Sequence, residues 1–145
     1  MTQQEKPKVA KMTGKCLCGA VKFTASEVTT GHGACHCSTC RKWGGGPALA
    51  TDVGSIQFEG QDNISVYGSS DWAERGFCKT CGTHLFYRLK EGGMNVVWVG
   101  AFDQQEAFTL AAEIYIDRKP KSYDFAGDHP RLTEAEFLKS IGMGE

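Results

Sequence analysis

Three cysteines fall within six residues of this chain, in Cys35-His36-Cys37-Ser38-Thr39-Cys40. Two close pairs flank them, Cys16/Cys18 and Cys78/Cys81, and together these account for all seven cysteines. Buried structural cysteines need no mutual spacing, so the grouping points to metal binding or redox chemistry. Clustered thiolates are natural ligands of zinc, held tetrahedrally at about 2.3 Å. Cys78-x-x-Cys81-Gly82 has the form of a zinc-knuckle turn, whose glycine lets backbone amides point at sulfur, and Cys16-x-Cys18 is the other isolated pair. Cys16, Cys18, Cys78 and Cys81 are therefore expected to form a closed structural zinc site, supplying roughly 10 kcal/mol or more of folding free energy. The competing reading of Cys78-x-x-Cys81 is a redox motif, which normally opens a helix after a strand in a βαβ setting. No such setting surrounds it.

Cys35, Cys37 and Cys40 are then left without a fourth cysteine. Three protein ligands and an open position are the pattern of a catalytic zinc site, which makes two zinc ions per chain. Three thiolates around Zn²⁺ leave a net charge of about −1, which makes a weak Lewis acid and a poor source of hydroxide. Such a site is better suited to holding an incoming thiol as a thiolate nucleophile. Arg41 and Lys42 follow directly, where they could offset the charge or meet a carboxylate on the substrate; a solvated loop explains them equally well. His32, on a Gly-His-Gly loop, is an alternative fourth ligand. His36 lies between two ligating cysteines and should point away, into a supporting hydrogen bond. His84 reads as a strand residue with a satisfied ring, and His129 carries no signal. Trp43 and Tyr123 could line a pocket, although aromatic residues in a domain of this size are more often core.

The elements that must position these groups are mostly strands. At 145 residues the chain is one domain, able to bury about 70% of its unfolded surface. A net charge of −1 with no Lys/Arg block speaks against a nucleic-acid partner. The longest apolar run, around Val96-Val97-Trp98-Val99, is too short to span a bilayer. The N-terminus lacks the apolar core of a secretory signal, so a reducing cytoplasmic setting is expected, in which close cysteine pairs bind metal. Residues 1–13 read as a loose leader and residues 14–145 as the folded domain. Cys16 to Ala25 alternates as a strand, with both thiols on one face and Val21, Phe23 and Ala25 on the other. A loop is expected over 27–33, and another over 41–47, whose glycines permit close backbone approach. Strands are expected near 48–53, 55–59, 63–68, 85–89, 95–102 and 111–117, the 95–102 strand being central. A capping box at Thr133 and Glu136 opens a short C-terminal helix, which Gly142 ends.

Taken together, these residues resemble the glutathione-dependent formaldehyde-activating enzyme family, whose domain also occurs in centromere protein V. The resemblance is carried by Gly14-x-Cys16-x-Cys18-Gly19-x-Val21, by Cys35-His36-Cys37-Ser38-x-Cys40-Arg41-Lys42 with Gly45, and by Arg75-x-Phe77-Cys78-x-x-Cys81-Gly82-Thr83-x-Leu85. It implies a fold of coiled antiparallel strands with little helix, similar to methionine sulfoxide reductase B. It also implies the same division of the cysteines, with glutathione's thiol at Cys35, Cys37 and Cys40, and formation of S-hydroxymethylglutathione from formaldehyde, a carbon–sulfur lyase reaction. The chain departs from that pattern at Gly44-Gly45-Gly46 and at Ser122-Tyr123. Two functions of different class follow: a zinc-dependent lyase adding a small thiol to an aldehyde, or a zinc-stapled module that binds thiols or a protein without catalysis. The sequence leaves the oligomeric state open.

Overall fold

Lys8–Lys15 (β1) is polar along most of its length, yet its backbone pairs antiparallel with Lys22–Thr29 (β2), and β2 pairs with Ser55–Glu59 (β5) in a three-stranded sheet of order β1-β2-β5. The computed structural model describes residues 6–142. A second sheet has eight strands: Gly31–Cys35 (β3), Ala48–Val53 (β4), Ile64–Gly68 (β6), Ala73–Cys78 (β7), His84–Leu89 (β8), Asn95–Trp98 (β9), Thr109–Ile114 (β10) and Arg131–Leu132 (β11). Their spatial order is β11-β10-β3-β4-β9-β8-β7-β6. Among the described residues two α-helices complete this mainly β fold, Ser38–Gly44 (α1) and Glu134–Ser140 (α2). The pairings are antiparallel except that β10 runs parallel to both β3 and β11. Among the described residues no helix is long and apolar enough to cross a membrane.

The core forms where the inward residues of both sheets meet. Phe23 and Ala25 of β2 alternate inward with period two and join Met12, Val28, Val53, Leu85, Phe86, Val97 and Phe102. Phe23 and Phe102 meet edge to face with ring centroids 5.3 Å apart, the geometry favoured by the aromatic quadrupole. Gly14 makes this packing possible, since a Cβ there would lie 2.2 Å from Phe23 Cζ and 2.4 Å from Ala101 O.

Several expectations change. Residues 8–13 of the expected leader belong to β1, because main-chain pairing with β2 holds them without an apolar stripe; residues 1–5 lie outside the described residues. The strand expected from Cys16 begins only at Lys22, and Cys16–Ala20 is a turn closed by Gly19 N donating to Cys16 O. The loop expected over 27–33 is instead the end of β2 and the start of β3. The 41–47 loop is largely α1, whose last turn ends on Gly45 in the left-handed region (φ +82°), so that glycine caps a helix. No atom lies within 4 Å of a Cβ built on Gly45 or Gly46, so neither serves a close approach. The strand expected over 95–102 stops at Trp98, is interior to the sheet as expected, and continues as a 3₁₀ turn. The C-terminal helix has the expected capping box, with Glu136 N donating to Thr133 Oγ1 and Thr133 N to Glu136 Oε1.

Candidate metal centres

Two turns bring four sulfurs together. Cys16-Leu17-Cys18-Gly19 leaves β1, and Cys78-Lys79-Thr80-Cys81-Gly82 leaves β7; Gly19 and Gly82 both adopt positive φ, near +83° and +80°, a region open to glycine at little cost. Cys16 Sγ and Cys18 Sγ are 3.6 Å apart, and Cys18 Sγ and Cys78 Sγ 3.7 Å. A tetrahedron with metal–sulfur bonds of about 2.3 Å has edges of about 3.8 Å, so the spacing fits a thiophilic dication. All four sulfurs lie within 4.8 Å of one another. Donors surround them: Val21 N to Cys16 Sγ at 3.3 Å, Asn63 Nδ2 to Cys78 Sγ at 3.3 Å and Cys81 N to Cys78 Sγ at 3.5 Å. The Thr83 hydroxyl, 3.1 Å from Cys81 Sγ, is the leading cause that draws that thiol down to about 5. All seven cysteines are free thiols.

The second cluster is built differently. Cys35 ends β3, Cys37 is the N-cap of α1 and Cys40 lies in its first turn, where Cys40 N donates to Cys37 Sγ at 3.2 Å. Their three sulfurs lie within 4.8 Å of one another, and among the described residues this cluster has no fourth histidine, cysteine or carboxylate member. With only protons to share, the three cannot all ionise: hydrogen bonds from Cys35 and Cys40 pull the Cys37 thiol down to about 2, while bonding to Cys37 and Cys40 pushes Cys35 far up. A donor set that crowds three soft ligands yet ionises one of them fits a dication able to hold all three as thiolates. His32 is not among them; its ring faces Gly33 O and packs on Phe108.

His36 turns away from the sulfurs, as its position between two of them requires. It is fully buried, with Nε2 2.8 Å from Glu113 Oε1 and Nδ1 2.9 Å from Tyr123 Oη, and Tyr123 stacks on its ring. An ionised carboxylate only accepts, so Nε2 carries a proton and, in the neutral ring, Nδ1 accepts from the tyrosine hydroxyl. The His36 carbonyl takes a bond from Arg41 Nε at 3.0 Å. Glu113, 1% exposed, is also hydrogen-bonded to His129 Nε2 at 2.6 Å and ion-paired with Arg131 Nε at 2.9 Å. Sequence reasoning missed this cluster, since nothing in the spacing of Glu113, His129 and Arg131 links them to residue 36. Burial alone would raise the Glu113 carboxyl, but hydrogen bonds from His129 and His36 and the charge of Arg131 outweigh it and hold it below the usual carboxylate range. A carboxyl depressed on folding stabilises the protein above its ordinary pKa, and that stability is lost as pH falls through the depressed value. Glu113→Gln is thus expected to destabilise by about 3–5 kcal/mol at neutral pH, with the gap to the unsubstituted protein closing as the solution is acidified, read by denaturant melts across pH.

Arg75 also reaches the three-thiol cluster, with Nη2 3.7 Å from Cys40 Sγ. Beside it Trp43 packs between Tyr67 and His84. His84 does lie on a strand, its pKa lowered by burial and by the charge of Arg75. Lys42 is exposed on α1.

The family model for the glutathione-dependent formaldehyde-activating enzyme matches residues 11–118. A Schizosaccharomyces pombe protein described only as an uncharacterized lyase is 38% identical over 133 residues, covering 88% of this chain and 95% of that one. A Halomonas elongata protein provisionally named as a glutathione-dependent formaldehyde-activating enzyme is 33% identical over 88 residues, 52% of this chain and 54% of that protein. In fold, the chain is similar to the crystal structure of a Rhodobacter sphaeroides protein, with a TM-score of 0.52, 22% identity, and coverage of 83% of this chain and 99% of that one.

Proposed function

The chain belongs to the glutathione-dependent formaldehyde-activating enzyme family, and from that premise we propose that it is a zinc-dependent carbon–sulfur lyase that adds a small thiol such as glutathione reversibly to an aldehyde such as formaldehyde. One observation carries the reading: beside a cluster of four sulfurs stands a separate cluster of three, with no fourth histidine, cysteine or carboxylate among the described residues. Cys16, Cys18, Cys78 and Cys81 would hold a structural zinc; Cys35, Cys37 and Cys40 would hold a second, which when bound supplies a Lewis-acid centre with an open position suited to keeping a substrate thiol ionised near neutral pH. The chain's own residues prepare that place. β3 and α1 fix the three ligands, the His36–Glu113–Tyr123 contacts lock the segment between them, and Arg41 and Lys42 offer positive charge to the carboxylates of a glutathione-like thiol. In the reaction the substrate sulfur bonds to the carbonyl carbon, the π pair moves to oxygen, and the oxygen takes up the proton that the thiol gave up. The product is a hemithioacetal, and the reverse path releases both partners.

Uncatalysed addition of thiols to formaldehyde is already facile, so acceleration is what must be measured. Exchange NMR of a glutathione–formaldehyde mixture is expected to show faster interconversion with substoichiometric protein. Thiol binding with no acceleration at stoichiometric protein would reject the lyase and leave a thiol-binding module.

A further inference from the structure

Arg75 is 4% exposed, yet among the described residues it has no acidic partner. Among the described residues Arg88 pairs with Glu74, Arg118 with Glu134 and Arg131 with Glu113, whereas Arg75 pairs with none. Its Nε donates to Ser69 Oγ at 3.1 Å and its Nη2 to Cys40 Sγ at 3.7 Å, while Nη1 is buried without an acceptor. The rings of Trp43, Tyr87 and Trp98 surround it, with centroids 5.9, 5.3 and 6.0 Å from Cζ. Taking a cation out of water is costly unless an opposite charge stands beside it. Desolvated aromatic faces return part of that cost and bring no net charge. The anionic groups available to this guanidinium are the thiolates of the neighbouring cluster.

We propose that Arg75 is the built-in counter-ion of the three-thiol site. This rests on reading Cys35, Cys37 and Cys40 as metal ligands and adds what that reading leaves open, the charge of the site. Three thiolates, one guanidinium and a divalent ion are together neutral, whereas a monovalent ion would leave a buried anionic cluster. Neutrality also changes what the site accepts: a thiolate arriving from solvent meets no net repulsion, as it would at three thiolates and a dication alone. The N–H···S bond to Cys40 is the direct path of this effect, since donors to a ligating sulfur tune the affinity of the metal they support. β7 supplies both Arg75 and Cys78, so the strand that helps to close the four-thiol cluster also carries the charge that balances the three-thiol one.

Co²⁺ titration of the reduced protein, in competition with a chelating dye and followed by sulfur-to-cobalt charge-transfer absorption, reads both sites at once. The unsubstituted protein is expected to take two ions. Arg75→Gln and Arg75→Met should weaken one of them by ~10–100-fold, the same one lost in Cys35→Ser, and leave the other unchanged as an internal check on folding. Arg75→Lys, which keeps the charge, should recover most of the affinity. Undiminished affinity at the three-thiol site in Arg75→Gln, or an Arg75→Lys as weak as Arg75→Gln, overturns the counter-ion while leaving the metal reading standing. A single ion in the unsubstituted protein overturns both. If Arg75→Met fails to fold, the Lys and Gln variants make the comparison.

Discussion

Cys78→Ser is expected to leave the chain without a cooperative thermal unfolding transition. Cys78 is fully buried at the end of β7, its sulfur accepts from Asn63 Nδ2 and Cys81 N, and it stands 3.7 Å from Cys18 Sγ. A structural zinc held by four thiolates contributes on the order of 10 kcal/mol to folding, and the whole margin of a domain is only about 5–15 kcal/mol. Serine cannot replace a thiolate in this role, and its hydroxyl would be left among soft donors at the edge of the core. Far-UV circular dichroism melts and metal analysis check this. A melt within a few degrees of the unsubstituted protein, with two metals per chain, would be fatal to the closed site.

Cys35→Ser is expected to give the opposite dissociation, with the fold kept and all acceleration of thiol–aldehyde exchange lost. Cys35 is the cleanest of the three to change. Cys37 also caps α1, and Cys40 is buried against Arg75, whereas Cys35 is half-buried at the end of β3. Two thiols cannot replace three protein ligands, so metal content should fall from two per chain to one. The melting temperature should move by only a few degrees, and the exchange rate should return to that of the solution without protein. Full acceleration with one metal per chain would remove the three-thiol cluster from the chemistry.

The grouping of the thiols was legible because each short run, Cys16/Cys18, Cys35/Cys37/Cys40 and Cys78/Cys81, lies in one turn or at one strand-to-helix junction, so its spacing shows in the sequence whatever fold surrounds it. What surrounds the thiols was much less legible. Cys16 and Cys18 come together through a turn, not through strand alternation; the rhythm of Val21, Phe23 and Ala25 runs backwards through residues that the backbone turns out of the strand. α1 was hidden because its N-cap is Cys37, a thiol in the place usually taken by Ser, Thr, Asp or Asn. β1 has almost no apolar pattern, being an edge strand that carries Lys8, Lys11 and Lys15, and such charge disfavours edge-to-edge pairing. The Glu113 cluster joins residues from distant segments, and Arg75 stood in the sequence as one letter of a motif. Its burial without a carboxylate can be seen only once β7 and α1 are packed together.

The parallel pairing of β10 with β3 has a consequence in time. The three sulfurs lie close in sequence, but the bed that fixes them does not: His36 meets Glu113 across 77 residues, and Cys35 sits opposite Ile114. Contacts this distant close late, because the entropy of a long loop is lost before the pairing returns anything. At synthesis rates of about 5–20 residues per second, Cys35, Cys37 and Cys40 are made roughly 4–15 s before the strand that locks them. For those seconds the three thiols lack the strand that fixes their bed, so the proposed site cannot yet be complete.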